Sequence, residues 1–317
     1  MFKKIFFFLS GFFFSTILSA QAPSLRLGVL KGVACAPCAY LIENKSKLAV
    51  QNIAFKVFDT PHSELPKLLR GELDAGFLSP KDAAKVFSAG KGSVVALGVA
   101  QNGNLFLLTN DEAYADLEDL RGKSVFCNEN EMAGADVFKY ILSKKGLKVL
   151  EKEADDSSDS VRIDFSVPAA SLANKLILGE ANYALVAEPF ASVALKNSPK
   201  TVRATSLQRL YSAAEDGTSL PAMLLVVRAD FAAENRDLIR RFTDVYKSAV
   251  SWTSRNPAKA ASLAEKHKIG LPSSVAKSAI SNAALVWRDS STAKSDLEKL
   301  YSILQVELPA EDFYFKK

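Results

Sequence analysis

Histidine is almost missing from this 317-residue chain, with His62 and His267 the only two. A Ser-His-Asp triad or a histidine-rich metal centre therefore has almost no material. Cysteine is nearly as scarce, and three residues are too few for a disulfide scaffold. No run of five like charges occurs, and the 15 Gly and 12 Pro form no low-complexity tract, which excludes a charged tail or a disordered scaffold. The balance of 40 basic against 35 acidic residues, a formal charge of +5, is too mild for a nucleic-acid surface. Beyond the first residues, no segment is long and apolar enough to span a bilayer.

What is there is an abundance of apolar residues, 48% of the chain against 24% charged. That is ample for a core, and the length exceeds one average domain of about 100 to 150 residues, so two lobes are expected. Met1-Phe2-Lys3-Lys4 precedes an apolar run from Ile5 to Ala20 that closes on Leu18-Ser19-Ala20-Gln21-Ala22. This reads as a secretory signal peptide over residues 1–20, shorter than the roughly 20 apolar residues a spanning helix needs and ending in small residues suited to a peptidase. Cleavage after Ala20 avoids leaving Pro23 at the new N-terminus, and no Cys at the junction signals a lipid anchor. The expected mature protein is soluble and extracytoplasmic.

Strands and helices alternate after the leader. Leu25 to Leu30, Asn52 to Phe58, Ala75 to Leu78 and Ser93 to Val99 read as strands; Cys38 to Asn44, Ser63 to Arg70 and Lys81 to Ser88 read as helices. The pattern restarts with strands at Lys123 to Cys127, Val161 to Val167 and Tyr183 to Val186 and helices at Ala133 to Lys145 and Ala169 to Gly179. Such alternation predicts α/β layers with largely parallel strands. The apolar segments Asn104 to Thr109 and Ala222 to Val227 are candidate crossings between lobes. A wholly helical C-terminus is expected, over Phe231 to Ser254, Pro257 to His267, Pro272 to Ala283 and Ala293 to Gln305. The first lobe is thus placed at 21–109 with 221–317, and the second at 110–220.

Several separated stretches carry a family likeness. They are Leu27-Gly28-Val29-Leu30-Lys31-Gly32, the run Leu68 to Gly76, the run Leu117 to Val125, the run Leu178 to Pro189 ending in Glu188-Pro189, and Val227 to Phe231 with Tyr246 to Pro257. In this order they resemble the extracytoplasmic solute-binding proteins of ABC importers, in the nitrate, sulfonate, taurine and thiamine-precursor group. The resemblance spans essentially the whole mature chain. It implies the type II periplasmic binding fold: two α/β lobes, each a mixed sheet flanked by helices, a hinge of crossing strands and a helical C-terminus. It further implies that a small solute is captured in the cleft and delivered to the transmembrane subunits of an ABC permease, by a monomer with no chemistry and no cofactor of its own. Iron-dependent enzymes of the same superfamily carry a longer Cys-rich run than Cys-Ala-Pro-Cys and act in the cytoplasm, so the enzyme reading is set aside.

Open α/β sheets bind ligands outside the carboxyl ends of their strands. The loops to watch are therefore Lys31 to Pro37, Thr60 to Ser63, Ser79-Pro80, Asn128 to Gly134, Pro168 to Ser171 and Glu188-Pro189. Helices that begin there offer unpaired N–H groups to an anionic solute. Candidate ligand contacts are Lys31, Gly32, Cys35, His62, Ser79, Asn128, Glu131 and Glu188. His267 is expected in solvent near a helix end. Trp252 and Trp287 are expected in the core rather than as ligand platforms. Asp155 to Asp159 reads as a solvated connection. No Arg sits in the first-lobe loops, which weakens a bidentate clamp on nitrate or sulfonate.

Cys35 and Cys38 follow the first strand as Cys-Ala-Pro-Cys, and Cys127 ends the strand after Gly122-Lys123. On the family's plan both loops face the cleft. One reading is a local Cys35–Cys38 disulfide with Cys127 a small buried apolar residue. A second is a thiolate site in which Cys35, Cys38 and Cys127 hold a soft metal or metal cluster as cargo, with Met132, Glu131 or the solute as fourth ligand. A third is a periplasmic thiol oxidoreductase, because strand, Cys-x-Pro-Cys and helix also resemble the thioredoxin active-site turn.

Overall fold

The computed structural model describes residues 24–50, 52–128, 132–150 and 159–316. The leader at 1–20, Glu131 and residues Asp155 to Ser158 of the acidic connection lie outside the described residues. The chain opens with β1 (Leu25–Leu30), α1 (Ala36–Glu43), β2 (Ile53–Phe58), α2 (Pro61–Leu69), β3 (Ala75–Leu78), α3 (Pro80–Ala89) and β4 (Val94–Asn102). It crosses into β5 (Leu105–Thr109), β6 (Ser124–Cys127), α4 (Met132–Lys144), β7 (Lys148–Leu150), β8 (Ser160–Asp164), α5 (Ala169–Leu178), β9 (Tyr183–Ala187), α6 (Phe190–Asn197), β10 (Val202–Ser206) and α7 (Leu207–Ala214). It returns through β11 (Pro221–Arg228), α8 (Ala229–Glu234), α9 (Arg236–Arg255), α10 (Pro257–Lys266), α11 (Ala276–Asn282), β12 (Leu285–Asp289) and α12 (Ser290–Ile303).

These strands form two six-stranded sheets, ordered β12-β4-β11-β3-β1-β2 and β10-β5-β9-β6-β8-β7. β1, β2 and β3 run parallel, as do β6, β7, β8 and β9. Parallel strands are covered on both faces, which is why β1 and β3 are apolar at almost every position instead of alternating. β11 lies antiparallel between β3 and β4 and returns the chain to the first sheet. Helix α9 covers that sheet with an apolar stripe of Leu238, Ile239, Phe242, Tyr246, Ala249 and Val250, spaced by three and four residues. The Asp74 carboxylate, fully buried, clamps the start of β1 by accepting from Arg26 N at 2.8 Å, Nε at 2.9 Å and Nη2 at 2.5 Å.

Three expectations change. Leu105–Thr109 is not a crossing strand: it pairs wholly within the second sheet, with β9 and β10, so the chain changes sheets at Gly103-Asn104 and not at Thr109. The return crossing likewise falls at Leu220, since β11 from Pro221 onward pairs in the first sheet. The C-terminus is not wholly helical, because Leu285–Asp289 adds an edge strand to β4. Its sequence, Leu-Val-Trp-Arg-Asp, is too short and half-buried to show a period, and only its partner makes it a strand.

The second lobe's core on the α4 and α7 face gathers Val125, Phe138, Ile141, Leu142, Leu185, Leu207 and Tyr211. Phe138 has no exposed surface, so Phe138→Ala is expected to cost about 3–5 kcal/mol. A lowered urea midpoint at unchanged slope checks this.

Candidate functional site

All the parallel strands of both sheets end toward the crossing. Leu30, Phe58 and Leu78 finish on the side where β4 leaves the first sheet, and Cys127, Asp164 and Ala187 finish on the side where β5 enters the second. The loops that follow therefore face one another across a cleft whose floor is the crossing itself. There Gly103 N–H donates to Leu220 O at 2.8 Å, so the two passages of chain lie side by side. Contacts between the lobes close the walls. Ser192 and Ser278 hydroxyls meet at 3.1 Å and Lys196 Nζ donates to Ser274 O at 3.2 Å on one side; Lys81 Nζ stands 3.8 Å from Asp136 Oδ2 on the other.

The structure brings the loop residues named from sequence to this region but commits several of them to their own lobes. Gly32 holds φ 125°, a conformation that favours glycine, and a Cβ there would meet nothing within 4 Å. This open backbone leads through the turn Val33–Cys35 into α1. Lys31 pairs with Asp59. Ser79 caps α3: its hydroxyl accepts from Asp82 N–H at 3.1 Å and donates to Asp82 Oδ2 at 2.7 Å. Glu188, whose peptide bond to Pro189 is cis, turns into the second lobe, accepting from Ser192 N–H at 3.0 Å and Arg203 Nη2 at 2.7 Å. The Arg203 guanidinium also lies over the Phe106 ring at 3.9 Å. Thus one N–H at each of the helix starts of α3 and α6, expected to offer such groups to a solute, already has a side-chain acceptor from the chain. His62 is exposed on the first turn of α2, and Asn128 is buried beside Cys127. His267 does not stand free in solvent: its Nε2 meets Glu43 Oε2 at 2.8 Å, tying α10 to α1. Trp252 and Trp287 pack against the first-lobe core as expected, beside Tyr40 and Tyr246.

The convergence of three thiols is not what the structure shows. Side chains alternate along β6, so Cys127 points with Val125 into the second-lobe core on the α4 side, away from the cleft. Cys35 and Cys38 are buried in the first-lobe core. None of the three is in a disulfide, so the Cys35–Cys38 disulfide reading is not realised either. Among the described residues no group of three His, Cys, Asp or Glu is placed to hold a metal. Burial, then hydrogen bonding to Cys38, pushes the Cys35 thiol well above its ordinary range, the opposite of the activated thiol that exchange chemistry needs.

Sequence reading missed Glu64. It looks like an ordinary acidic residue in a helix first turn, yet its side chain is fully buried, its oxygens 3.3 and 3.4 Å from the Phe77 N–H that donates to them. Gly28 of β1 and Gly76 of β3 make the room: a Cβ at either would fall 2.1 or 2.6 Å from Glu64 Oε1. Two glycines inside buried strands were the available signal. Burial pushes the carboxyl up to about 8, against the Phe77 N–H, which favours the ionised form.

Two further cavities lie outside the cleft, at the far end of the first sheet. One of about 470 Å³ is lined by Arg70, Lys91, Arg228 and Asp230, and its neighbour of about 460 Å³ by Ala232, Arg236, Tyr314 and Phe315. They lie at the start of β4 and the end of β11, opposite the converging strand ends.

The model of the NMT1-like family matches residues 19–267. No curated protein sequence matches the chain. Among solved structures, an ABC transporter protein from Parabacteroides distasonis superposes with a TM-score of 0.76 at 18% identity, covering 93% of this chain and 99% of that one. The periplasmic aliphatic sulphonate binding protein SsuA from Escherichia coli gives 0.69 at 15% identity, covering 92% of each chain. The periplasmic nitrate-binding protein NrtA from Synechocystis PCC 6803 gives 0.63 at 12% identity, covering 92% of this chain and 83% of that one. At such identities the likeness is one of fold.

The raised Glu64 carboxyl makes stability depend on pH. The unfolded chain ionises this group near its ordinary 4.5 while the folded chain keeps it protonated to about 8, so stability falls as pH rises between these values and levels above them. Thermal melts of the chain from pH 5 to 8 should show this decline. Glu64→Gln, which keeps the shape without the charge, should flatten it, and equal slopes in both proteins would refute the assignment.

Proposed function

The chain belongs to the NMT1-like family, and from that premise we propose that it is the solute-binding component of an ABC importer. It captures a small solute between its lobes and hands it to the transmembrane subunits of a permease, acting as an exported monomer with no chemistry of its own. The observation that carries this reading is the convergence of both sets of strand ends on a cleft floored by the Gly103–Leu220 crossing. The fold likeness to binding proteins for sulphonate and nitrate supports it. The apolar run Ile5 to Ala20, read as a secretory leader, is in keeping with export.

Mechanically, the two lobes present complementary halves of one site. The first-lobe half is the turn at Gly32, whose N–H donates to Ile269 O at 2.8 Å while its other side stands open; the second-lobe half is the ends of β6, β8 and β9 with the loops after β8 and β9. A solute bound to both halves favours the closed arrangement by its contacts with the second lobe it reaches. The buried anchors Glu64 and Glu188 hold the loops beside them in place, so that closure moves lobes and leaves those loop conformations unchanged.

The full chain incubated with a cell extract of molecules under about 1 kDa and examined by native mass spectrometry should retain one solute mass per chain. The retained mass should raise the melting temperature by mass action when added back. A chain that keeps no solute from any extract overturns the reading.

A further inference from the structure

Capture between lobes needs a hinge that reopens along one path, and the ribbon at Gly103 and Leu220 is only two strands wide. A third connection spans the lobes at α12. Ala293, Leu297 and Tyr301, spaced by four, are buried in the first-lobe core, where α12 lies against β4 and β12. One residue before Tyr301 the helix turns another face to the second lobe: Leu300 is buried in that lobe's core, and Ile303 and Leu304 pack against it. A single helix thus contributes to both cores.

Beside Leu300 the same helix makes a charged contact. Lys299 Nζ reaches Glu215 Oε2 at 2.5 Å, and Glu215, at the end of α7, is buried in the second lobe. The other oxygen, Oε1, accepts from Tyr140 OH at 2.6 Å and Lys144 Nζ at 2.7 Å, both on α4. Burial works against the charge of Glu215, but the two ammonium groups and the phenol hold its carboxyl down at about 2, so it stays ionised at any working pH. Tyr140 and Lys144 fasten Glu215 within its own lobe whether or not Lys299 is present. The carboxylate is therefore a fixed post, and of its three partners among the described residues Lys299 is the one that crosses between lobes.

We infer that α12 is a strap across the hinge, with Lys299 and Glu215 as the positioning pair that limits how far and in which direction the lobes part. The inference rests on the proposed capture of a solute by lobe closure. The apolar plug of Leu300, Ile303 and Leu304 resists sliding of the strap out of the second lobe, while the ion pair fixes its rotation about the plug. Neither residue touches the cleft loops; both act through the angle between the lobes.

The test needs no solute. Spin labels at exposed Ser88 on α3 and exposed Lys145 just after α4 report the distance between lobes by pulsed electron resonance; Cys35, Cys38 and Cys127 are buried from the labelling reagent. In Lys299→Met the distance distribution should shift to longer values and broaden, and Lys299→Arg should restore it. Glu298→Gln serves as the control, because among the described residues Glu298 forms its ion pair with Lys294 of the same helix, at 3.4 Å, and should leave the distribution unchanged. Circular dichroism confirms folding, and Lys299→Gln replaces Lys299→Met should the latter not fold. A distribution in Lys299→Met or Lys299→Gln that matches the parent overturns the strap and leaves solute capture standing. A chain that retains no solute in extract overturns capture and leaves the strap standing.

Discussion

The hydrogen bond from Gly103 N–H to Leu220 O marks the constraint on which the molecule depends: the chain passes between its two sheets twice, and the two passages are neighbours. Because β4 exits and β11 re-enters beside each other, each sheet takes in its arriving strand, β5 or β11, antiparallel among parallel ones, and the parallel strands of both lobes end toward the crossing. The cleft is a consequence of that connectivity. No individual side chain creates it, and the loops around it are free to differ among proteins that share the fold.

Both lobes are stiffened by buried carboxylates. Asp74 clamps β1 to the segment before β3, Glu64 fills the gap left by Gly28 and Gly76, and Glu188 joins the start of α6 to Arg203 on β10. Glu64 and Glu188 stand next to loops that face the other lobe, whereas Asp74 fixes the opposite end of the first sheet, at the starts of β1 and β3. A buried charge or neutralised acid contributes modestly to net stability, but truncating it leaves partners unpaired, so such groups hold one geometry firmly. Glu215 does the same at the hinge, where its three partners come from both lobes.

The cysteines show how a spacing can suggest chemistry that the fold does not perform. Cys35 and Cys127 do follow strands that end at the cleft, as the loop order implied. Position along a strand does not reveal which face a side chain takes, and one step of the period of two sends Cys127 into the core with Val125. Cys38 follows the inward face of α1, whose residues from Ala36 to Ala39 are all buried. The three thiols end as core residues of two different lobes.

By itself the sequence determined the alternation of strands and helices, the two-lobed α/β class and the loops that face the cleft, because these follow from local period, caps and glycine or proline breaks read over short stretches. Strands β1 to β4 and helices α2 to α5 fall where those signals stand. The tertiary structure alone decided the point of crossing at Gly103, the edge strand Leu285–Asp289, the buried state of Glu64 and the membership of α12 in both cores. Each of these depends on which distant residues come into contact. A half-buried pentapeptide becomes a strand only when β4 supplies a ladder, and a helix-turn glutamate becomes a neutral core acid only when two strands place glycines against it.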